Sequence, residues 1–210
     1  MNSTGELERR HHRFARYADD CNIYVGSERA GKRVMQSVTG FITRRLQLKV
    51  NEAKSAVARP QERKFLGFSF TGGAEPKRRI APKALHRCKQ KIRELTRRTR
   101  GISLEQMTKE LATYLRGWKS YFGFCQTPSV LQRLEEWTRR RLRSMIWKQW
   151  KRGKVRFRKL RQRNLGVALA AQAAGSAHGP WRVASNPALQ AAFPVAYFDA
   201  LGLPRLVDVL

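Results

Sequence analysis

Any fold of this chain must accommodate its charge. Forty-four lysines and arginines stand against 15 aspartates and glutamates in 210 residues, a formal net charge of +29. A compact body carrying that charge repels itself unless a polyanion neutralises it. The chain is nonetheless 41% hydrophobic, so it is no disordered basic tail and can bury a sizeable core in one or two domains. Nucleic acid is the counter-charge that fits. An anionic membrane surface would call for a separable basic amphipathic helix or a lipidation signal. Here basic residues run from Arg9 to Arg163, interleaved with Trp, Tyr and Phe. No apolar run approaches a membrane span and the first residues lack a hydrophobic signal region, so a cytoplasmic protein with no membrane partner is expected. Cys21, Cys88 and Cys125 are odd in number and widely spaced, which fits a reducing compartment and argues against a zinc module. His11 and His12 are adjacent, would face opposite ways on a strand, and read as part of the basic stretch rather than as metal ligands.

Residues 12–25, HRFARYADDCNIYV, hold two short runs rich in aromatic and β-branched residues around Ala18-Asp19-Asp20. That pattern predicts a β-hairpin with two carboxylates at its turn. From Ser27, helical spacing of Ala30, Val34, Val38, Phe41 and Ile42 predicts an amphipathic helix. Leu46-Gln47-Leu48-Lys49-Val50 alternates like a half-buried strand, and Leu66, Phe68 and Phe70 alternate again before Thr71-Gly72-Gly73 turns the chain. Beyond Ile80 the pattern is helical. Pro82 suits a first helical position, followed by a stripe of Leu85, Cys88, Ile92 and Leu95. Ser103 with Gln106 resembles a capping box ahead of Leu104, Met107, Leu111, Tyr114, Leu115 and Trp118. Thr127-Pro128 opens a third helix carrying Leu131, Leu134, Trp137, Leu142, Met145 and Ile146, and a basic stretch follows from Lys148 to Arg163. Asn186-Pro187 starts a further helix that Gly202 and Pro204 end. The class expected is α+β.

Adjacent acids on a hairpin turn can hold divalent cations, because hard ions such as Mg2+ take carboxylate oxygens. Nucleotidyl transfer uses two such ions, one at the attacking oxygen and one at the leaving phosphates. A plain Asp-Asp turn is the competing reading of the tetrapeptide Tyr17-Ala18-Asp19-Asp20.

The order RYADD, amphipathic helix, LQLKVNEAKS and KFLGFSF resembles the later blocks of a reverse-transcriptase palm. Leu115-Arg116-Gly117-Trp118-Lys119-Ser120-Tyr121-Phe122 and the terminal GPWRVASNPALQAAFPVAYFDALGLPRL resemble the maturase-specific thumb, domain X, of group II intron proteins. The resemblance implies a partial palm (YADD hairpin, helix and strands) over residues 1–75 and an all-α thumb or maturase domain over 76–210. It also implies a family activity of RNA-directed DNA polymerase with Mg2+, and support of intron splicing. By resemblance, Asp19 and Asp20 are metal-binding catalytic acids, Asp19 the more direct ligand, and Tyr17 and Ala18 line the primer end. Asn51 and Lys54 match the block whose lysine assists the departing pyrophosphate, and Phe65, Leu66 and Gly67 match the primer grip. Read from the residues alone, Lys54 is a solvated lysine and Phe68 and Phe70 are core.

Most of the cluster Trp118, Tyr121 and Phe122 is expected in the core. The cations Arg116, Lys119, Arg139, Arg140, Arg141, Arg143, Lys148, Lys151, Arg152 and Lys154 are expected on a surface without acidic partners. By resemblance that surface grips group II intron RNA and RNA template/DNA primer duplex, for which clustered arginine suits A-form geometry. The family's bridging aspartate and fingers lie upstream of the YADD block, in a region these 210 residues do not span. Weak Mg2+ binding and no polymerase activity are therefore expected of the chain alone. The alternative is a non-catalytic basic protein that retains only maturase-type RNA binding. A ribosomal-type protein would explain the charge but not the order of motifs.

Overall fold

A computed structural model of the chain describes residues 3–207. The chain forms two compact units, Met1–Pro76 and Lys77–Leu210, and its mixture of helices and short strands is compatible with the α+β class.

In the first unit a short helix, α1 (Ser3–Arg9), precedes an antiparallel hairpin of β1 (Arg13–Tyr17) and β2 (Asp20–Tyr24). Register runs from Arg13 opposite Tyr24 to Tyr17 opposite Asp20, so the turn has two residues. Ala18 there adopts φ 51, the positive φ that tight hairpin turns demand. α2 (Glu28–Arg45) starts where Ser27 accepts a hydrogen bond from Ala30 N–H at 3.2 Å. Glu28 in its first turn and Arg44 and Arg45 in its last complement the helix dipole. Gly31 is needed for packing: a Cβ there would lie 2.6 Å from Val57 Cγ1.

Residues 46–50 are not a strand. Gln47 takes φ 53, Leu48 N–H donates back to the Ile42 carbonyl at 3.2 Å, and Leu48 is 59% exposed. Alternation makes a strand only where a ladder partner satisfies its backbone, and this segment closes α2 instead. The next apolar run also begins later than its pattern suggests. Leu66 and Gly67 both have positive φ, 50 and 80, while Phe65 and Phe68 exchange backbone hydrogen bonds of 2.9 Å in each direction. This is a two-residue turn of the I′ kind, and β3 (Phe68–Phe70) follows it. Within β3, Ser69 is buried and the two phenylalanines are half-buried, so Phe68 and Phe70 are not the core residues expected.

The second unit begins with β4 (Arg78–Ile80) and is helical thereafter. The backbone N–H of Arg78 donates to Gln126 Oε1 at 2.7 Å, and Gln126 N–H donates to the Arg78 carbonyl at 2.8 Å. α3 (Pro82–Leu95) buries Ala84, Cys88 and Ile92, with Leu85 and Leu95 half-buried beside them. α4 (Leu104–Phe122) is capped by Ser103, which accepts from Gln106 N–H at 3.1 Å. The Gln106 side chain does not complete the box, because it donates to Glu110 at 3.0 Å. Met107, Leu111, Leu115 and Trp118 are buried in α4, Phe122 is half-buried and Tyr121 is exposed. Burial pushes the Cys88 thiol up to about 11, with a hydrogen bond to Tyr114 opposing that shift.

α5 (Pro128–Gln149) is the central helix, with Leu131, Leu134, Leu142, Met145, Ile146 and Trp147 buried. α6 (Gly153–Arg161), α7 (Val167–Ala174) and α8 (Pro180–Val183) follow. The single helix expected from Asn186 is two, α9 (Pro187–Ala192) and α10 (Val195–Ala200). Pro194, which lacks an N–H, separates them. Trp147, Trp150, Phe193, Tyr197 and Phe198 form a chain of rings with successive centroids 6.1, 5.7, 5.0 and 5.3 Å apart, spacings typical of tilted aromatic pairs.

One charged network holds the end of this unit to α5. Arg139, 4% exposed, contacts Glu135 Oε2 at 3.0 Å and Asp199 Oδ1 at 3.7 Å, and Asp199 also binds Arg205 at 2.7 Å. The other Glu135 oxygen accepts from the backbone N–H groups of Leu206 and Val207. Removing one member of a buried ion pair strands its partners at a cost of about 3 kcal/mol or more. Arg139→Gln should therefore lower the urea midpoint of the second unit's transition, whereas Lys148→Gln, at an exposed site, should leave it unchanged. Equal midpoints for the two variants would show that the network contributes nothing to stability.

Candidate nucleic-acid interface and carboxylate turn

Asp19 occupies the second turn position of the β1–β2 hairpin, and Asp20 opens β2. Arg16 Nε donates to the Ala18 carbonyl at 2.9 Å and steadies the turn from its own strand. Tyr17, Ala18, Asp19 and Asp20 are all exposed. Two carboxylates at a hairpin tip match a hard divalent cation in donor type. They fall short in number, since no group of three or more His, Cys, Asp or Glu side chains that could hold a metal is found among the described residues.

Asn51 and Lys54 share one tight turn. Lys54 N–H donates to Asn51 Oδ1 at 3.2 Å and to the Asn51 carbonyl at 3.1 Å. The Lys54 carbonyl accepts from Arg63 Nη2 at 2.7 Å. The Asn51 amide oxygen is thus engaged by local backbone, and the Lys54 side chain remains exposed. Phe65, Leu66 and Gly67 form the left-handed turn before β3, which places Leu66 at its tip, 37% exposed.

The cations of the second unit do not form one face. Arg139 is buried in the ion-pair network. Arg143 is also buried, with Nε donating to the Phe193 carbonyl at 2.9 Å. Burial, and then the charge of Arg139, lower its pKa. Arg140 donates from Nε and Nη2 to the Trp181 carbonyl at 3.1 and 3.0 Å and stacks on the Trp181 ring at 4.2 Å. Arg141 donates to Thr96 Oγ1 and to the Arg93 carbonyl, satisfying a carbonyl that the end of α3 leaves open. The expectation that these four arginines form a solvated, acid-free face is therefore corrected: α5 turns Arg139 and Arg143 inward and uses Arg140 and Arg141 as braces. Glu135, four residues before Arg139, was the readable sign, because i and i+4 lie on one helix face.

Lys148, Lys151, Arg152 and Lys154 are exposed, as are Arg158 and Lys159 further along α6. Among the described residues none of these six side chains makes a hydrogen bond or an ion pair. Arg116 is exposed and donates to the Gly202 carbonyl at 3.1 Å, and Lys119 is half-buried. Other cations of the same stretch are occupied. Arg156 donates to the Trp150 carbonyl at 2.8 Å, Arg161 donates to the Leu165 carbonyl, and Arg163 lies over the rings of Phe193 and Tyr197. No acid occurs between Glu136 and Asp199, so the exposed cations of this region have no neighbouring carboxylate in sequence.

No helix among the described residues is long and apolar enough to cross a membrane, and Cys21, Cys88 and Cys125 are free thiols. A search of curated proteins finds no match to the chain. Two family models match it in order. A reverse transcriptase (RNA-dependent DNA polymerase) model covers residues 1–70, and a group II intron, maturase-specific domain model covers residues 85–164. A reverse-transcriptase match followed in sequence by a maturase-specific one supports a group II intron reverse transcriptase/maturase.

Proposed function

We propose that the second unit binds structured group II intron RNA, and that Lys148, Lys151, Arg152, Lys154, Arg158 and Lys159 make the principal phosphate contacts. The observation carrying this reading is the set of six exposed, unpartnered cations within a stretch of sequence that holds no acid. Phosphate contacts release condensed counterions, and A-form helices are recognised through shape and backbone rather than through base edges. Leu160 is fully buried under α6, and Lys154 and Arg158 lie one turn apart on that helix. Replacing Lys151, Lys154, Arg158 and Lys159 with Gln should weaken binding of a stem-loop RNA. It should also reduce the log–log salt slope by about 0.7–0.9 for each phosphate no longer neutralised, with unchanged circular dichroism. Anisotropy titrations at several salt concentrations measure both quantities, and an unaltered slope would sink the assignment.

Polymerase chemistry on a primer-template duplex is the second reading, favoured by the carboxylate pair at the hairpin tip. Asp19 and Asp20 would hold Mg2+, which when bound activates the attacking oxygen and neutralises the leaving phosphates. The turn at Phe65–Phe68 would bear on the primer end, with Leu66 touching it. Two carboxylates leave a two-metal ligand set incomplete, so the 210-residue chain alone should not extend a labelled DNA primer on an RNA template. Extension above background that disappears in Asp19→Ala would contradict this.

A further inference from the structure

A second cationic site lies on the same unit, between α3 and α5. Trp137 of α5 is half-buried, and two cations of α3 lie over its ring: Lys89 Nζ at 5.6 Å and the Arg93 guanidinium carbon at 5.3 Å from the centroid. Arg141, one helical turn after Trp137, donates to the Arg93 carbonyl at 3.2 Å. Two cations thus lie over one indole, and a third is bonded to the backbone of one of them.

Among the described residues, Lys89, Arg93 and Arg141 form no ion pair, and neither the Lys89 ammonium nor the Arg93 guanidinium donates a hydrogen bond. The nearest acids in sequence are Glu94, which pairs with Lys91 at 2.9 Å, and Glu136, which pairs with none of the three. The electron-rich face of an indole offsets part of the repulsion between cations placed over it, yet it accepts none of their N–H groups in a conventional hydrogen bond. Like charge is felt within the cluster: burial first, and then the charge of Arg93, lower the Arg141 pKa. Two cationic side chains held over one ring without a carboxylate partner are complementary to an anion with several acceptor oxygens.

We propose that Lys89 and Arg93, oriented by Trp137 and backed by Arg141, form a phosphodiester-binding site for the same RNA that α6 contacts, giving the second unit two separate grips on one molecule. The proposal rests on the RNA-binding reading above. Two sites on one rigid unit make the second binding event intramolecular, so their combined affinity exceeds that of either surface alone. The occupant is the backbone of RNA. A single base would need an open aromatic face, and here the indole face already carries cations.

The test compares four full-length proteins by anisotropy with a fluorescein-labelled stem-loop RNA over a range of salt. They are the wild type, the α6 variant described above, Lys89→Gln/Arg93→Gln, and the charge-preserving exchange Lys89→Arg/Arg93→Lys. The Gln pair should weaken binding and lower the salt slope by about 1.4–1.8, the value for two phosphates left without a cation, and the exchange should bind like the wild type. A slope for the Gln pair equal to that of the wild type overturns the site. So does a loss confined to binding of phosphatidylserine vesicles. Because the Gln pair also removes the cover on Trp137, a measurement on the unsubstituted protein accompanies it. Amine-reactive labelling of Lys89, read by mass spectrometry, should be suppressed when the stem-loop RNA is bound, and equal labelling with and without RNA overturns the proposal. If the wild type itself shows no salt-dependent RNA binding, the reading under Proposed function fails. If the α6 variant is impaired and the α3 variant is not, only this second site fails.

Discussion

A guanidinium removed from water costs several kcal/mol unless acceptors replace the lost hydration. The second unit meets that demand at Arg139 with charge more than with hydrogen bonds, since Nη1 donates to Glu135 while Nε and Nη2 have no hydrogen-bond partner among the described residues. Glu135 supplies one carboxylate from the preceding turn of α5, and Asp199 supplies another from α10, far along the chain. The same two acids then reach further: Glu135 accepts the backbone of Leu206 and Val207, and Asp199 holds Arg205. One buried cation thereby fixes the position of α10 and of the residues after it. The aromatic chain from Trp147 to Phe198 packs in the same region, and Arg143 closes it by binding the Phe193 carbonyl. In a molecule of +29, Glu135 and Asp199 serve as internal fasteners, whereas Glu94, Glu105 and Glu136 stay on the surface. Surface pairs such as Lys32 with Glu28 add little by comparison, because solvent screens them.

That use of arginine separates what could be read from the residues from what could not. Period and caps were legible. The stripe through Met107, Leu111, Leu115 and Trp118 is buried as spaced, Ser103 caps its helix, and Pro82, Pro128 and Pro187 each stand in a first turn. Arg139, Arg140, Arg141 and Arg143 were harder, because four cations in five residues look like a solvated run. A helix turns about 100° per residue, so such a run must point in every direction. Leu131, Leu134 and Leu142 mark the inward side, and Arg139 falls on it.

Two segments of the first unit, residues 46–50 and 65–67, depart from their pattern for a different reason. Alternation at Leu46–Val50 specifies which side chains would share a face, yet a strand also needs a neighbour for its backbone. Left-handed residues at Gln47 and Leu66 show where the chain turns instead. Leu-Gly is an unusual pair for a turn that favours Asn-Gly, so nothing local in the sequence announced it. The hairpin at Ala18-Asp19 was readable because aromatic and β-branched runs flank it on both sides. Its two acids sit where the pattern put them, while the Asn51 amide proved to be occupied by its own turn.

The fastening at Arg139 also orders events in time. Chains emerge from the ribosome N-terminus first, and domains fold as units during synthesis. When α5 has been made, Glu135 can already reach Arg139, but Asp199 and the backbone of Leu206 do not yet exist. Until they emerge, a cationic helix without its full set of carboxylates is exposed in a compartment crowded with ribosomal RNA, to which its charge attracts it. Final closure of the second unit therefore waits until Asp199 and Leu206 have been made.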